Sequence, residues 1–428
     1  MYYFKISSRS LVSKWRQYIS LFLVSMVGVG ISLFLMFVVD GMLSAMSTKA
    51  KIYYGGDFQI VGGIDGLNID NSTSFIEKVK SVMPKDAVVS GRLFKRGADS
   101  FLCYEGTDAR FRRMVGVDYK NEAQLFSRFN YVEGSAADAV ESNSVLISEP
   151  IAKLLSVHAG DSITLVTERR KSGIDTIPLI VSGIFRDSSI FGMYTVYMDL
   201  DFLRDIDGVD PDYVNRCCIF FPNDHDVEKK INYYHKKLSS VINMYPVTDD
   251  RYKFIDILKD VGFQEPTYEL LNISANMKEL QIIIQAMKWV SLLVIFALVI
   301  IIIVGVSSTY RVLVMKRINE IGIYKAIGMN RFNVYRILMS ETCCLMFAGC
   351  FSGLVLSLIM CFLVRFLNLS FIPAFDIFLT NGFIAPLVSL SNSFAVMAVI
   401  FVTTVLAVVL SIRKAVEITP VQALATTE

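Results

Sequence analysis

Four long apolar runs are separated by more polar stretches along this chain. Tyr18–Val39 contains no charged residue, and Trp289–Ser308 consists almost entirely of β-branched residues and leucine. Thr342–Leu363 and Phe394–Ile412 are the third and fourth runs. Each approaches the length of about 20 residues with which a helix crosses the hydrocarbon core of a bilayer. The pattern therefore predicts four transmembrane helices.

The region between the first two runs, residues 40–288, has no apolar stretch long enough to span a membrane. Alternating strand and helix signals predict an α+β domain inserted between helices 1 and 2. The predicted elements are a helix over Phe75–Met83, strands near 87–89, 100–104, 114–117 and 216–221, a strand–helix–strand unit over 144–166, a strand and helix over 195–206, a β-hairpin with its tip at 170–173, a helix from Asp224 to about Ser240, and a long helix over Glu265–Lys288.

Basic residues predict the orientation, because cytoplasmic loops carry an excess of lysine and arginine. Residues 1–17 and the loop 310–341 are basic, and Arg413 and Lys414 directly follow the fourth run, whereas residues 368–392 contain neither lysine nor arginine. Both termini are predicted inside, with an uncleaved first span. The predicted segments are a cytoplasmic N-terminus 1–17, spans 18–39, 289–309, 342–365 and 393–412, an extracytoplasmic (periplasmic) domain 40–288, a cytoplasmic loop 310–341, an outer loop 366–392 and a cytoplasmic tail 413–428.

Composition agrees with a mixed protein that has both membrane-spanning and water-soluble parts. The 428 residues are 53% apolar with a net charge of +2, and the mean hydropathy is +0.49. The small net charge gives no indication of nucleic-acid binding. Four of the seven cysteines lie in one apolar run and are interpreted as small hydrophobic residues. Cys103 could pair with Cys217 or Cys218 if the middle of the chain lies outside, and the sequence leaves this open.

Several kinds of chemistry have no signature in the sequence. No G-x-x-x-x-G-K-[ST] motif is present to cradle ATP phosphates, and His158, His225 and His235 do not have the spacing of metal ligands. No predicted span contains a buried charge, which argues against an ion or proton path. The chain is therefore predicted not to be an enzyme and to hold no cofactor or metal.

The polar segment between the second and third spans, Met315–Glu341, shows helical periodicity. Ile318, Ile321, Tyr324 and Ile327 recur at helical spacing, and Gly328 follows where a helix often ends in the left-handed conformation. A short amphipathic helix along the inner membrane surface is predicted, followed by a helix that leads into the third span. The alternative is an ordinary interfacial connector.

This segment, "NEIGIYKAIGMNR", resembles the cytoplasmic loop of the FtsX-like permease family, with its pattern E-I-G-x-x-x-A-x-G-x-x-R. The matching residues are Glu320, Ile321, Gly322, Ala326, Gly328 and Arg331. In that family, the type VII ABC transporters of MacB and Lol type, the loop is a coupling helix that docks into an ATPase. The resemblance implies an ATPase-coupling site formed by these residues with Arg317 and Lys325, and ATP bound by a partner subunit.

Other stretches carry the same resemblance. "VLISEPIAKLLSVHAGDSITL" and "MVGVDYKNEAQLF" resemble segments of the extracytoplasmic core domain of MacB-type and Lol-type permeases, and the tail matches the closing pattern at Arg413, Pro420, Ala423 and Leu424. MacB-type proteins carry the ATPase on the same chain, and FtsX-type cell-division proteins have a smaller outer domain. The lipoprotein-releasing LolC/LolE permeases match the length, the topology and the missing ATPase motif.

The resemblance therefore implies a mechanotransmission permease that releases lipoproteins from the inner membrane to a periplasmic carrier. Its expected partners are a LolD-like ATPase, a second permease subunit, a lipoprotein substrate and a LolA-like carrier. Acyl-chain contact is expected at Phe37, Met42, Leu43 and Met46, for which packing against the second span is the alternative. Carrier binding is expected at the hairpin tip, formed by Arg170, Lys171, Ser172 and Gly173.

Two other functions remain open at this stage. One is an FtsX-like or other type VII permease that acts on a different amphiphile or in transmembrane signalling. The other is a membrane-anchored sensor whose inner loop binds no ATPase.

Overall fold

The structure, a computed structural model, divides into two compact units. It describes residues 15–98, 100–139, 143–169, 173–187, 192–222, 227–276, 278–369 and 371–416. The helical unit consists of the described parts of Met1–Leu43, Gln285–Asn368 and Ile384–Glu428, and the α/β unit consists of those of Ser44–Ile284 and Leu369–Phe383. The predicted cap at Asp224 and the tail match at Pro420, Ala423 and Leu424 lie outside the described residues.

The helices and strands are numbered here in chain order. The helices are α1 (Trp15–Tyr54), α2 (Ser72–Val82), α3 (Ala123–Phe126), α4 (Glu149–Leu155), α5 (Leu200–Asp207), α6 (Ile231–Leu238), α7 (Arg251–Asp260), α8 (Ile273–Asn276), α9 (Lys278–Lys316), α10 (Ile318–Ala326), α11 (Arg331–Val364) and α12 (Leu390–Val416). The strands are β1 (Phe58–Gly63), β2 (Val88–Arg96), β3 (Phe101–Tyr104), β4 (Thr107–Arg110), β5 (Arg113–Val117), β6 (Tyr131–Gly134), β7 (Ser144–Ser148), β8 (Ser162–Arg169), β9 (Gly173–Phe185), β10 (Thr195–Asp199), β11 (Arg216–Phe220) and β12 (Thr267–Asn272).

Four helices of the described chain are long and apolar enough to cross a membrane. By length and composition these are Trp15–Tyr53, Gln281–Lys316, Phe332–Val364 and Leu390–Val409. The first two contain the predicted spans 18–39 and 289–309. The last two overlap the predicted spans 342–365 and 393–412 except at residue 365 and at residues 410–412. The first helix continues past the first apolar run and ends at Tyr54, just before the glycine pair Gly55 and Gly56.

Small residues let α1 and α11 approach each other closely within the helical unit. A Cβ atom built on Gly349 would lie 2.7 Å from the Cβ of Ser25, and one on Gly353 would lie 2.9 Å from the backbone oxygen of Met26. These distances are shorter than real Cβ contacts, so the two glycines are required for this packing. The G-x-x-x-G spacing in the sequence therefore marks a real helix crossing.

The α/β unit is built on one mixed sheet. Among the described residues its strand order is β12-β1-β11-β2-β5-β10-β7-β9-β8-β3-β4, with β6 paired to β9. The β5/β10 and β7/β9 pairs are parallel, and the other pairs are antiparallel. Buried side chains of β7, β8, β9 and α4 form one apolar core, and those of β1, β11, α2 and α6 form another. The predicted strand–helix–strand unit and the β8–β9 hairpin are both present.

The predicted long helix over Glu265–Lys288 is wrong in its first part. Residues Thr267–Asn272 form β12, which pairs antiparallel with β1 from Phe58↔Asn272 to Gly63↔Thr267. Leu270 packs into the core shared with β1 and β11, whereas the neighbouring Leu271 packs against α7. The strand is buried on both faces, and Leu271 interrupts the alternation of polar and apolar residues that would identify a half-buried strand.

The three cysteines outside the apolar runs do not pair in this structure. Cys103 lies on β3, whereas Cys217 and Cys218 lie on β11, and all three are free thiols. Six strands separate β11 from β3 in the sheet order. A disulfide requires Cα atoms closer than about 7 Å. Adjacent strands are already about 4.8 Å apart, so strands separated by several others are too distant. The structure therefore supports neither of the two disulfides that the sequence left open.

The segment between α11 and α12 was predicted only as an outer loop, but part of it belongs to the α/β unit. Lys49 on α1 donates hydrogen bonds to Asp376, to its backbone oxygen at 2.6 Å and its carboxylate at 3.0 Å. The Lys49 Nζ also lies 3.8 Å from the Asp187 carboxylate. Ile377 is buried in an apolar cluster with Met46 and Tyr53 of α1. Residues Leu369–Phe383 thus complete the core of this unit.

We predict that the contact between Lys49 and Asp376 stabilises the α/β unit. Replacing Asp376→Asn should lower its free energy of unfolding by about 1.5–3 kcal/mol, because a hydrogen bond to a charged group in a largely buried site is lost. Chemical unfolding in detergent would measure the change. Asp86→Asn, at an exposed turn, is the control and should leave stability within about 0.5 kcal/mol of wild type. Equal stability of the two variants would contradict the prediction.

Candidate functional site

The short helix α10 lies between α9 and α11, as the periodicity predicted. It ends just before Gly328, which has φ = +90° and no neighbouring atom within 4 Å of a built Cβ. The backbone conformation, rather than lack of space, therefore makes glycine favourable here. An L-residue in the left-handed region costs about 1 kcal/mol or more. This agrees with the predicted role of Gly328 in ending the helix.

Arg317, which joins α9 to α10, is the centre of a buried polar network in the helical unit. Its Nη1 donates to the Glu341 carboxylate on α11 at 2.5 Å and to the hydroxyl of Tyr18 on α1. The Tyr18 hydroxyl donates to the same carboxylate at 2.8 Å. Arg317, Glu341 and Tyr18 are 3%, 1% and 2% exposed. One side chain thus connects the start of α10 to two of the long helices.

The contact with Glu341 keeps the buried Arg317 side chain in its ionised state. Burial alone would lower the pKa of Arg317, but the charge of Glu341 and the hydrogen bond to it outweigh burial and raise the pKa. A buried ion pair loses the hydration of both charges. Removing one partner of such a pair therefore costs far more stability than removing one partner of an exposed pair. Glu341, the residue directly before the predicted span 342–365, is a buried acidic side chain within the span-length helix Phe332–Val364.

The exposed side of α10 carries apolar side chains as well as polar ones. Ile323 is 51% exposed and Ile327, directly after the helix, is 80% exposed, whereas Ile321 and Gly322 are buried. Ala326 is also exposed. Of the predicted apolar positions, Ile321 faces the core and Ile327 does not, because a spacing of three residues drifts around a helix with 3.6 residues per turn.

The predicted coupling residues differ in how far their side chains are exposed to solvent. Glu320 is about one third exposed and accepts a hydrogen bond from Arg317 Nε at 3.1 Å. Lys325 is half-buried, and Gly328 is exposed. Arg317 is buried and directed to internal partners, so it offers almost no surface to a docking subunit. Arg331 is the first residue of α11.

Sequence reasoning missed Tyr18 and Glu341. Glu341 was placed at the border of the third span, although α11 begins ten residues earlier, at Arg331. A lone acidic residue next to a long apolar run, with an arginine at the end of the preceding run, is the signal that could have indicated the pair. Tyr18 carries no comparable signal in the sequence.

The other predicted contact residues are mostly buried. Phe37 lies in the core of the helical unit, Met46 in a core of the α/β unit, and Met42 is also buried. Leu43 is half-buried. These positions agree with a packing role, and acyl-chain contact stays a prediction. Gly173 begins β9 with φ = +81°, while Arg170, Lys171 and Ser172 lie outside the described residues.

The fold and the site together define a multi-pass membrane protein with a short polar helix between its second and third long helices. Residues 291–420 match the family described as FtsX-like permease C-terminal. This stretch contains α10, α11 and the Arg317–Glu341 pair, so the match includes the candidate site. No curated protein matches the sequence.

Two solved structures are similar to parts of the chain. A domain of a Porphyromonas gingivalis protein described as a permease is 10% identical, with a TM-score of 0.30, covering 50% of this chain and 87% of that one. The periplasmic region of MacB from Actinobacillus actinomycetemcomitans is 11% identical, with a TM-score of 0.31, covering 53% of this chain and 94% of that one.

We predict that Arg317 and Glu341 are strongly coupled energetically. Arg317→Met or Glu341→Met alone should lower the free energy of unfolding by about 3–5 kcal/mol, because each leaves an uncompensated buried charge. The double variant Arg317→Met/Glu341→Met should be more stable than either single variant. Chemical unfolding of all four proteins in detergent gives the coupling energy. Additive effects of the two substitutions would contradict the proposed pair.

Proposed function

We propose that this chain is the transmembrane subunit of an ABC transporter and that α10 docks into a separate ATPase subunit. The observation that carries the proposal is the exposed apolar pair Ile323 and Ile327 on a short helix within the stretch that matches the FtsX-like permease family. Apolar side chains at the centre of a contact, with polar groups such as Glu320 at its rim, are the usual anatomy of a protein interface. ATP would be bound and hydrolysed by the partner.

The Arg317 network supports a mechanism for transmitting motion. Arg317 directly precedes α10, and its guanidinium binds Tyr18 on α1 and Glu341 on α11. Separating these groups would leave buried charges without partners, which is costly. A displacement of α10 by the ATPase would therefore move the attached ends of α1 and α11 together. Each of these helices belongs to the set that is long enough to cross a membrane.

The proposed orientation places α10 in the cytoplasm, both termini inside and the α/β unit in the periplasm of a bacterial inner membrane. The distribution of basic residues supports this orientation. Arg311, Lys316 and Arg336 surround α10, and the segment 368–392 has neither lysine nor arginine.

Lipoprotein release is the transport reaction we propose within this class, with a periplasmic carrier as acceptor and a second permease subunit as partner. The proposal rests on the resemblance to Lol-type permeases in the α10 segment and in the β7–α4–β8 segment. The exposed end of the β8–β9 hairpin, where Ile174 is 80% exposed, offers an apolar contact for the carrier. Phe37, Met42 and Met46 would contact acyl chains only after the cores that bury them open.

We predict that Ile327→Asp weakens association with the ATPase at least tenfold, because a carboxylate would have to be buried in an apolar contact. Affinity purification of the tagged chain, with the amount of co-purified ATPase measured, tests this. Ile174→Asp is a matched control with the same 80% exposure, on the α/β unit, and should retain the ATPase. Absence of any ATPase from the wild-type preparation would favour the sensor alternative. Full retention by Ile327→Asp would show that α10 is not the docking site.

We also predict that Asn330, which directly precedes α11, and Val261, in the α/β unit, are exposed on opposite sides of the membrane. Single cysteines at Asn330 and Val261, both exposed, would be introduced into a cysteine-free background. A membrane-impermeant thiol reagent applied to spheroplasts should label the Val261→Cys variant and not the Asn330→Cys variant. Membrane lysis should make both accessible. Labelling of the Asn330→Cys variant in intact spheroplasts would reverse the proposed orientation.

A further inference from the structure

A broad groove in the α/β unit has a strongly basic lining. Its volume is about 830 Å³, within the range of about 300–1,000 Å³ that is typical of small-molecule sites. Lys95, Arg96, Arg112 and Arg113 line it at the ends of β2 and β5, and Arg216, Arg251 and Lys259 line it from β11 and α7. Among the described residues, Asp256 is the single acidic residue of the lining. Lys95 is paired with Asp207, and the six remaining cations outnumber the Asp256 carboxylate, which favours an anionic ligand.

Several of these cations are held in place by other side chains. Arg216 donates to Gln59 at 2.7 Å, and its guanidinium lies 4.5 Å from the centre of the Phe94 ring. Arg113 Nε donates to Thr195 at 3.1 Å, and Lys95 Nζ lies 3.2 Å from the Asp207 carboxylate. Fixing a guanidinium in advance reduces the conformational entropy that ligand binding would otherwise cost. The groove is therefore a prearranged set of charges rather than a random group of flexible surface residues.

Arg251 adds an independent observation at this groove. Its Nη1 donates to Asn276 at 3.1 Å and its Nη2 donates to Tyr252 at 2.9 Å. The Nε of the same guanidinium is buried and has no hydrogen-bond partner among the described residues. Leaving a buried donor unpaired costs about 1–3 kcal/mol or more, so each such group calls for an explanation. An acceptor oxygen brought in by a ligand would remove this cost.

We propose that this groove binds a multiply charged, phosphate-bearing anion. Five of the seven cations are arginines, whose planar guanidinium groups bind phosphate oxygens in pairs. A singly charged carboxylate would leave most of the positive charge uncompensated, whereas a phosphate monoester or pyrophosphate carries about two or more charges. Leu67, Phe111 and Ile255 also line the groove, so an apolar part of the ligand can be accommodated beside the phosphate.

The phosphate could come from a lipid headgroup or from a soluble compound, and two probes separate these sources. The full chain would be reconstituted in nanodiscs of phosphatidylcholine, which carry no net charge. Binding of sodium pyrophosphate and of monomeric dioctanoyl phosphatidic acid would be measured by microscale thermophoresis at 150 mM salt. An acidic peptide of ten glutamates serves as a third probe, because it carries negative charge without phosphate. This measurement needs no ATPase, so it stands apart from the transport proposal.

The critical variant is Arg96→Glu/Arg112→Glu, because both side chains are exposed and their replacement does not disturb a core. Lys85→Glu/Lys120→Glu, also at exposed positions, makes the same change in net charge outside the groove. At least one phosphate probe should bind wild type and the control, and should bind the groove variant at least tenfold more weakly. Pyrophosphate binding indicates a soluble source, and binding of phosphatidic acid alone indicates a lipid headgroup. Preference for the glutamate peptide, equal loss in both variants or no binding of either phosphate probe would overturn the proposal.

Discussion

The ion pair between Arg317 and Glu341 is the constraint on which the arrangement of the helical unit depends. Two opposite charges that are both removed from solvent must stay together, since neither can regain its hydration without disrupting the core. The pair fixes the position of α10 against α11, and the Tyr18 hydroxyl brings α1 into the same contact. Because three chain segments meet at one guanidinium, the polar helix is attached to the bundle by the residue that directly precedes it and not only by apolar packing.

The sequence allowed the outline of the fold to be predicted wherever one kind of signal dominated. Four uncharged runs predicted the long helices, and alternating patterns predicted most strands of the α/β unit. Gly328 and the pair Gly349 and Gly353 were interpretable because each meets a requirement that other residues fail. The strand β12 was predicted as helix, since burial on both faces removes the alternation that distinguishes a strand.

The candidate site was predicted less completely, because its central contacts join residues that are far apart in the chain. Tyr18 and Glu341 are separated by 323 positions, and only the fold brings their oxygens to within 2.8 Å. The motif around Glu320 lies on a short helix, as predicted, but it could not show which side chains of that helix face inward. Arg317 was expected to serve a partner and is instead bound within the chain, while exposed apolar positions such as Ile323 received no role.

The position of Leu369–Phe383 also affects how the α/β unit can be isolated. This unit is discontinuous in sequence, because a segment that follows α11 supplies Ile377 to its core and Asp376 to Lys49. A fragment limited to residues 44–284 would expose the apolar side chains of Met46 and Tyr53 to water and leave Lys49 without this partner. The smallest autonomous version of the domain therefore requires the later segment, joined by a linker or supplied as a second chain.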